Sequence, residues 1–154
     1  MSRRFLVGLT SLALVSTAVV AAEPIKLALS DFKLKAAFDG GDALVNYQDD
    51  KLNFYTNGTG TVKLTVPADG EYTIVVEASG TTAEKVNPKF TLKVGDKAVK
   101  EDFELTTPDQ KEYKFPAKLT KGDTTLSITF TNDVYKENEY DRNLSIHAVR
   151  VEGK

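Results

Sequence analysis

The 154-residue sequence contains no cysteine and no tryptophan, and only one histidine and one methionine. Without cysteine there are no disulfides, no thiolate-ligated metals and no lipid attachment through sulfur. Hydrolytic chemistry that needs an imidazole base has a single candidate, His147. It stands between Ile146 and Ala148 in a strand-like run, where a sheet-face side chain is the simpler reading. Positive charge is not in excess either: 20 Lys and Arg oppose 22 Asp and Glu, for a net charge of −2. That balance argues against nucleic acid as a partner, which asks for a basic face. No glycine-rich loop leads from a strand into a helix, so nucleotide binding has no support. Acidic pairs such as Asp49-Asp50 and Glu101-Asp102 read as solvated, because pairs alone do not make glycosidase chemistry. These absences together describe a binder and not an enzyme.

Long apolar runs are also missing, with one exception. Met1-Ser2-Arg3-Arg4 is followed by an apolar stretch from Phe5 to Val20, which closes on Ala21 and Ala22. Basic start, apolar centre and small-residue exit are the parts of a secretory signal peptide. The run is shorter than the ~20 apolar residues of a membrane span. The sequence therefore predicts a signal peptide over residues 1–22, cleaved after Ala21 or Ala22. It predicts a secreted or periplasmic single domain over 23–154, with no membrane span in the mature chain. Loss of Arg3 and Arg4 with the leader moves the net charge from −2 to −4.

What is present is alternation. Val62, Leu64 and Val66 alternate with polar residues, as do Tyr72, Ile74 and Val76, then Phe90, Leu92 and Val94. Phe103 and Leu105, Tyr113 and Phe115, and Leu126, Ile128 and Phe130 continue the pattern. Leu144 and Ile146, then Val149 and Val151, complete it. Period two places one set of side chains on one face of a strand. Turn signals separate the runs, among them Asp39-Gly40-Gly41-Asp42, Asn57-Gly58, Asp69-Gly70, Gly95-Asp96 and Gly122-Asp123. Short strands at such spacing predict an all-β sandwich or barrel of antiparallel strands. Only Leu27 to Phe38 suggests a short helix, and Lys33 to Ala37 reads equally well as an edge strand.

One connection is unusually long. Between Phe130 and Leu144 lie about a dozen residues, a length that in compact domains marks a functional or a disordered segment. This one carries Tyr135 and Tyr140 and concentrates hard oxygen donors: Asn132, Asp133, Glu137, Asn138, Glu139, Asp141 and Asn143. Calcium takes six to eight such oxygens in loose geometry. The same composition also suits a polar, solvated hairpin loop.

The string FTNDVYKENEYDRNLSIHAVRVEG resembles the C-terminal segment of the calcium-dependent, xylan-binding carbohydrate-binding modules of families thirty-six and sixty. Upstream, GEYTIVVEASGTTAEKVNPKFTLKVGDK resembles their middle part, so the likeness runs from about Gly70 to Gly153. The resemblance implies a jelly-roll-like β-sandwich that grips a xylan-like polysaccharide through Ca2+. Carried onto this chain, it makes Asp133 and Asp141 the carboxylate ligands and the Tyr140 carbonyl a further one. Asn143 orients the loop or adds an oxygen, and Glu84 is a ligand from a second segment. With no tryptophan to stack on, an ion that accepts a vicinal diol is an alternative route to a sugar. Tyr135 and Tyr140 would flank the sugar, with Asn138 beside them. The competing expectation is a purely structural calcium in a protein-interaction domain, with Glu137 and Glu139 filling every coordination position.

Overall fold

The computed structural model describes residues 23–154; the leader and its cleavage position lie outside them. The described residues form thirteen strands: β1 (Ile25–Leu27), β2 (Lys33–Ala36), β3 (Val45–Gln48), β4 (Lys51–Phe54), β5 (Gly58–Val66), β6 (Gly70–Gly80) and β7 (Lys89–Val94), followed by β8 (Lys97–Glu104), β9 (Lys111–Leu119), β10 (Gly122–Phe130), β11 (Tyr135–Lys136), β12 (Tyr140–Asp141) and β13 (Leu144–Gly153). One sheet has the order β3-β4-β13-β6-β9, with β1 also paired to β13. The other has the order β2-β5-β10-β7-β8, and β11 and β12 make a small ribbon of their own. No helix among the described residues is long and apolar enough to cross a membrane.

The alternation read from the sequence becomes the filling between the sheets. Phe54, Ile74, Val76 and Ile146 from one sheet meet Leu64, Phe90, Leu92, Leu126, Ile128 and Phe130 from the other, all but fully buried. Each such side chain contributes roughly 1.5–3 kcal/mol of burial. Phe90, Phe103, Tyr113 and Phe115 close one side edge-to-face, with ring centroids 5.0–5.8 Å apart. Phe90 and Phe103 belong to one sheet and Tyr113 and Phe115 to the other, so the rings join the two layers.

Two local expectations change. The Leu27 to Phe38 segment holds only a 3-10 turn at Leu29–Asp31 before β2, so the edge-strand reading prevails. Lys33, Leu34, Lys35 and Ala36 pair with Thr61, Gly60, Thr59 and Gly58 of β5, and that pairing outweighs any helical tendency. The His147 alternation is interrupted, because the β6–β13 register shifts between Ile146 and Ala148. His147 sits at this bulge, half-buried, with a ring nitrogen 2.7 Å from Ser79 Oγ. Burial and the nearby Lys51 charge lower its pKa, which suits a neutral, structural histidine.

The connections after β2, β4, β6, β8 and β10 all change sheet at one end of the sandwich. Register places them together: Phe130 is opposite Gly58 and Phe90, and Leu144 is opposite Phe54 and Gly80. At the other end, Lys154 N–H donates to Glu71 O, beside the Ile25–Val151 pair.

Candidate functional site

Asp133 stands just past the end of β10 and is held from a distant part of the chain. Its N–H donates to Asn57 Oδ1 at 2.8 Å, and its Oδ2 accepts from Thr56 Oγ1 at 3.2 Å. Its other oxygen, Oδ1, is buried without a hydrogen-bond partner. Burial first, and then the negative charge of Asp141, push the Asp133 carboxyl above the usual carboxylate range, against the bond from Thr56, the Arg142 charge and the Val134 backbone N–H.

Asp141 ends the β11–β12 ribbon, so part of the long connection is strand. Its Oδ2 accepts from Asn143 Nδ2 at 2.9 Å, and its carbonyl accepts from Thr81 Oγ1 at 2.5 Å. Asn143 thereby orients Asp141 while its own Oδ1 stays buried and unpartnered. Thr81 receives Asn143 N–H on Oγ1 at 2.8 Å and donates its own N–H to Asn143 O at 3.0 Å. Gly80 permits this approach, since a Cβ there would collide with Asn143 O and the Pro88 ring. Gly80→Ala is expected to destabilise the fold by about 1–3 kcal/mol, the usual range for overpacking, as read by chemical denaturation.

Arg142, between these two residues, is 6% exposed. Its guanidinium donates to Val86 O at 3.0 Å, to Asn132 O at 2.6 Å and to Ala83 O. Its partners are thus three carbonyls from two loops and no acid. The fork shape of the group accounts for this, because fixed planar donors reach several acceptors at once.

The remaining sequence candidates take other places. Glu84 and Lys85 occupy the two positive-φ positions of a tight turn closed by Ala83 and Val86. The Glu84 carboxylate accepts from the Tyr140 hydroxyl at 3.0 Å, which raises the Tyr140 pKa. No group of three His, Cys, Asp or Glu side chains able to share an ion occurs among the described residues, so Glu84 is not gathered with Asp133 and Asp141. Asn138 caps the ribbon at φ 59°, a left-handed position that asparagine tolerates. Tyr135 is 67% exposed, whereas the Tyr140 ring is half-buried and tied to Glu84. Glu137 and Glu139 face solvent, and Glu139 pairs with Lys136 at 2.6 Å.

Among the described residues three buried side-chain polar atoms lack a partner, and two of them are Asp133 Oδ1 and Asn143 Oδ1. Buried oxygens without donors are costly in an otherwise satisfied structure. Both belong to the Asp133–Asn143 segment, and hard oxygens of this kind are what calcium takes as ligands. Thr56, Asn57 and Thr81 complete the arrangement and were missed in the sequence. Asn57-Gly58 carried a turn signal, but nothing local announced a contact 76 residues away.

The fold is that of carbohydrate-binding modules. It resembles a family 35 carbohydrate binding module from Clostridium thermocellum at a TM-score of 0.58 and 19% identity, over 84% of this chain and 98% of that one. It also resembles the CBM36-1 domain of a multidomain xylanase from the hindgut metagenome of Trinervitermes trinervoides, at 0.57 and 12%, over 86% and 96%. A mannan binding module from Man5C gives 0.57 and 15%, over 83% and 97%. These likenesses are of fold. No protein of curated function matches the chain in sequence.

The family itself comes from residues 73–154, which match CBM60, described as a Ca-dependent carbohydrate-binding module, xylan-binding. The match covers more than half of the chain, and the chain belongs to that family: it is a carbohydrate-binding module and not an enzyme. The matched part contains Asp133, Asp141, Arg142 and Asn143, while Thr56 and Asn57 lie outside it.

Proposed function

We propose that this chain is a secreted module that binds xylan-like polysaccharide in a calcium-dependent way at the Asp133–Asn143 segment. The observation that carries the reading is that two buried oxygens of one segment, Asp133 Oδ1 and Asn143 Oδ1, lack partners, while Asn143 Nδ2 bonds the Asp141 carboxylate. Asp133, Asp141 and Asn143 would hold the ion, with the Tyr140 carbonyl as a further donor. A bound calcium supplies open coordination positions that a vicinal diol can fill. The family description supports both calcium and xylan. Glu137 and Glu139 lie exposed and do not crowd the site, which favours a sugar-accepting ion over one fully enclosed by protein. The basic and apolar leader supports export.

Affinity electrophoresis on a xylan gel tests the reading. Retention is expected in calcium, absent with chelator, and restored when calcium is returned. Oligosaccharides whose adjacent hydroxyls are substituted should not compete. A chain that melts higher in calcium but is never retained would have a structural ion only. Retention that persists in chelator would place binding on the tyrosines alone.

A further inference from the structure

A cleft of about 630 Å³ opens at the end of the sandwich away from Asp133, on the side where β8 and β9 are the outermost strands of their sheets. Side-chain size along these two strands produces it. Toward the Asp133 end, Phe103 of β8 meets Tyr113 and Phe115 of β9 edge-to-face at 5.1 and 5.0 Å, and the rings fill the space between the layers. Further along, Val99 of β8 and Ala117 of β9 are smaller, and the layers stay open between them. Val66, Val94 and Leu119, the last residues of β5, β7 and β9, extend the aliphatic lining. Lys97, Lys118 and Lys121 also line the cleft, all exposed and none in an ion pair among the described residues. Lys121 N–H donates to Asp69 Oδ1 at 2.7 Å, which fixes the turn that carries it. Of the two acids in the lining, Asp123 is taken up by Lys63 at 2.8 Å and Thr65 at 2.7 Å, which leaves Asp96.

We propose that this cleft is a second binding site, for a small amphipathic carboxylate whose aliphatic body lies against Val99, Ala117 and Leu119 and whose carboxylate sits among the three lysines. The site is independent of the calcium reading, because it lies at the opposite end of the sandwich. Its volume falls within the range of about 300–1,000 Å³ usual for small-molecule clefts. Charge decides the occupant. Three cations line the cleft with one uncommitted acid, in a chain whose net charge is −2. A cationic ligand would be repelled, and an uncharged one would gain nothing from the ammonium groups. An anion without an apolar part would leave the aliphatic lining wet. Every apolar residue of the lining is aliphatic, which suits a flexible chain better than a stacked ring. Lysine stems can lie along such a chain while their charged heads stay in water.

Calorimetry and amide NMR on the full mature chain test the site, in chelator, with octanoate and octan-1-ol as probes. Wild type is expected to bind octanoate about tenfold more tightly than octan-1-ol, the worth of one charge-assisted hydrogen bond at a partly exposed site. Octanoate should shift the amide signals of Val99, Ala117 and Leu119. Ala117→Phe, which fills the gap between the layers, should bind neither probe. Lys97→Glu combined with Lys118→Glu should lose the preference for octanoate and keep the melting temperature of wild type. Lys35→Glu, an exposed change on β2 near the Asp133 end, should behave as wild type. Absence of octanoate binding in wild type overturns the inference, and so does equal affinity for the two probes. A preference for octanoate that persists in the lysine variant overturns it alone, whether or not Ala117→Phe folds. Dimerisation in light scattering that Ala117→Phe abolishes also overturns it, because the cleft would then belong to a second copy of the chain.

Discussion

Replacing Arg142 with methionine is expected to cost about 3–5 kcal/mol of folding stability, measured by urea denaturation. The side chain is buried, and methionine fills much the same volume without donors. Three carbonyls, those of Ala83, Val86 and Asn132, would then be left without this partner. A buried acceptor left unsatisfied costs about 1–3 kcal/mol, and a domain of this size holds only about 5–15 kcal/mol in total. Arg142→Lys should recover part of the loss and no more, because one ammonium cannot reach three carbonyls on two loops. The Thr81–Pro88 and Thr131–Asn143 segments depend on this one guanidinium, so calcium affinity should fall with stability. A loss below about 1 kcal/mol in the methionine variant would mean that water replaces the guanidinium and that the loops hold themselves.

Asp133→Asn is expected to abolish the effect of calcium on the melting temperature. Binding to the native state alone adds about 2.7 kcal/mol at a hundredfold excess of ion, or about 10 °C for a domain of this size. Without calcium the sign reverses. Burial and the Asp141 charge raise the folded pKa of Asp133 above its unfolded value, so the native state holds the proton more tightly. The resulting penalty is absent below the unfolded pKa, grows through the window between the two pKa values, and is complete above the folded one. In chelator, wild type should therefore lose stability relative to Asp133→Asn as pH rises through that window. In saturating calcium, wild type should instead be the more stable at neutral pH. Differential scanning calorimetry across pH with and without chelator decides it; parallel curves for the two proteins in both media would remove Asp133 from the site.

The sandwich was legible because its strands bury one face each. Leu64, Ile74, Leu92, Leu126, Ile128 and Ile146 all lie in the core as their alternation implies. Val75 escaped that reading: it is fully buried on the outer face, flanked in register by Arg150 and Lys114. Long aliphatic stems can cover such a residue, and a hydrophobic pattern does not show them. The Asp133–Asn143 segment was legible as a concentration of oxygens, yet not which oxygens are free. That depends on Thr56, Asn57 and Thr81, which reach it only once the sheet register is set. Glu84, expected as a ligand, has its carboxylate engaged by the Tyr140 hydroxyl, a pairing fixed by tertiary geometry alone.

The position of β13 has a mechanical consequence. It begins one residue after Asn143, runs the length of its sheet and ends beside Lys154, paired with β6 on one side and with β4 and β1 on the other. A polysaccharide held at Asp133 and Asp141, pulled against whatever holds the Lys154 end, loads this strand along its own axis. Force in that direction shears the ladders on both flanks, so their hydrogen bonds must yield together and not peel one by one. The strand next to the proposed sugar site is thus braced on both flanks to transmit tension, and the loops above it can remain exposed without being the point that gives way.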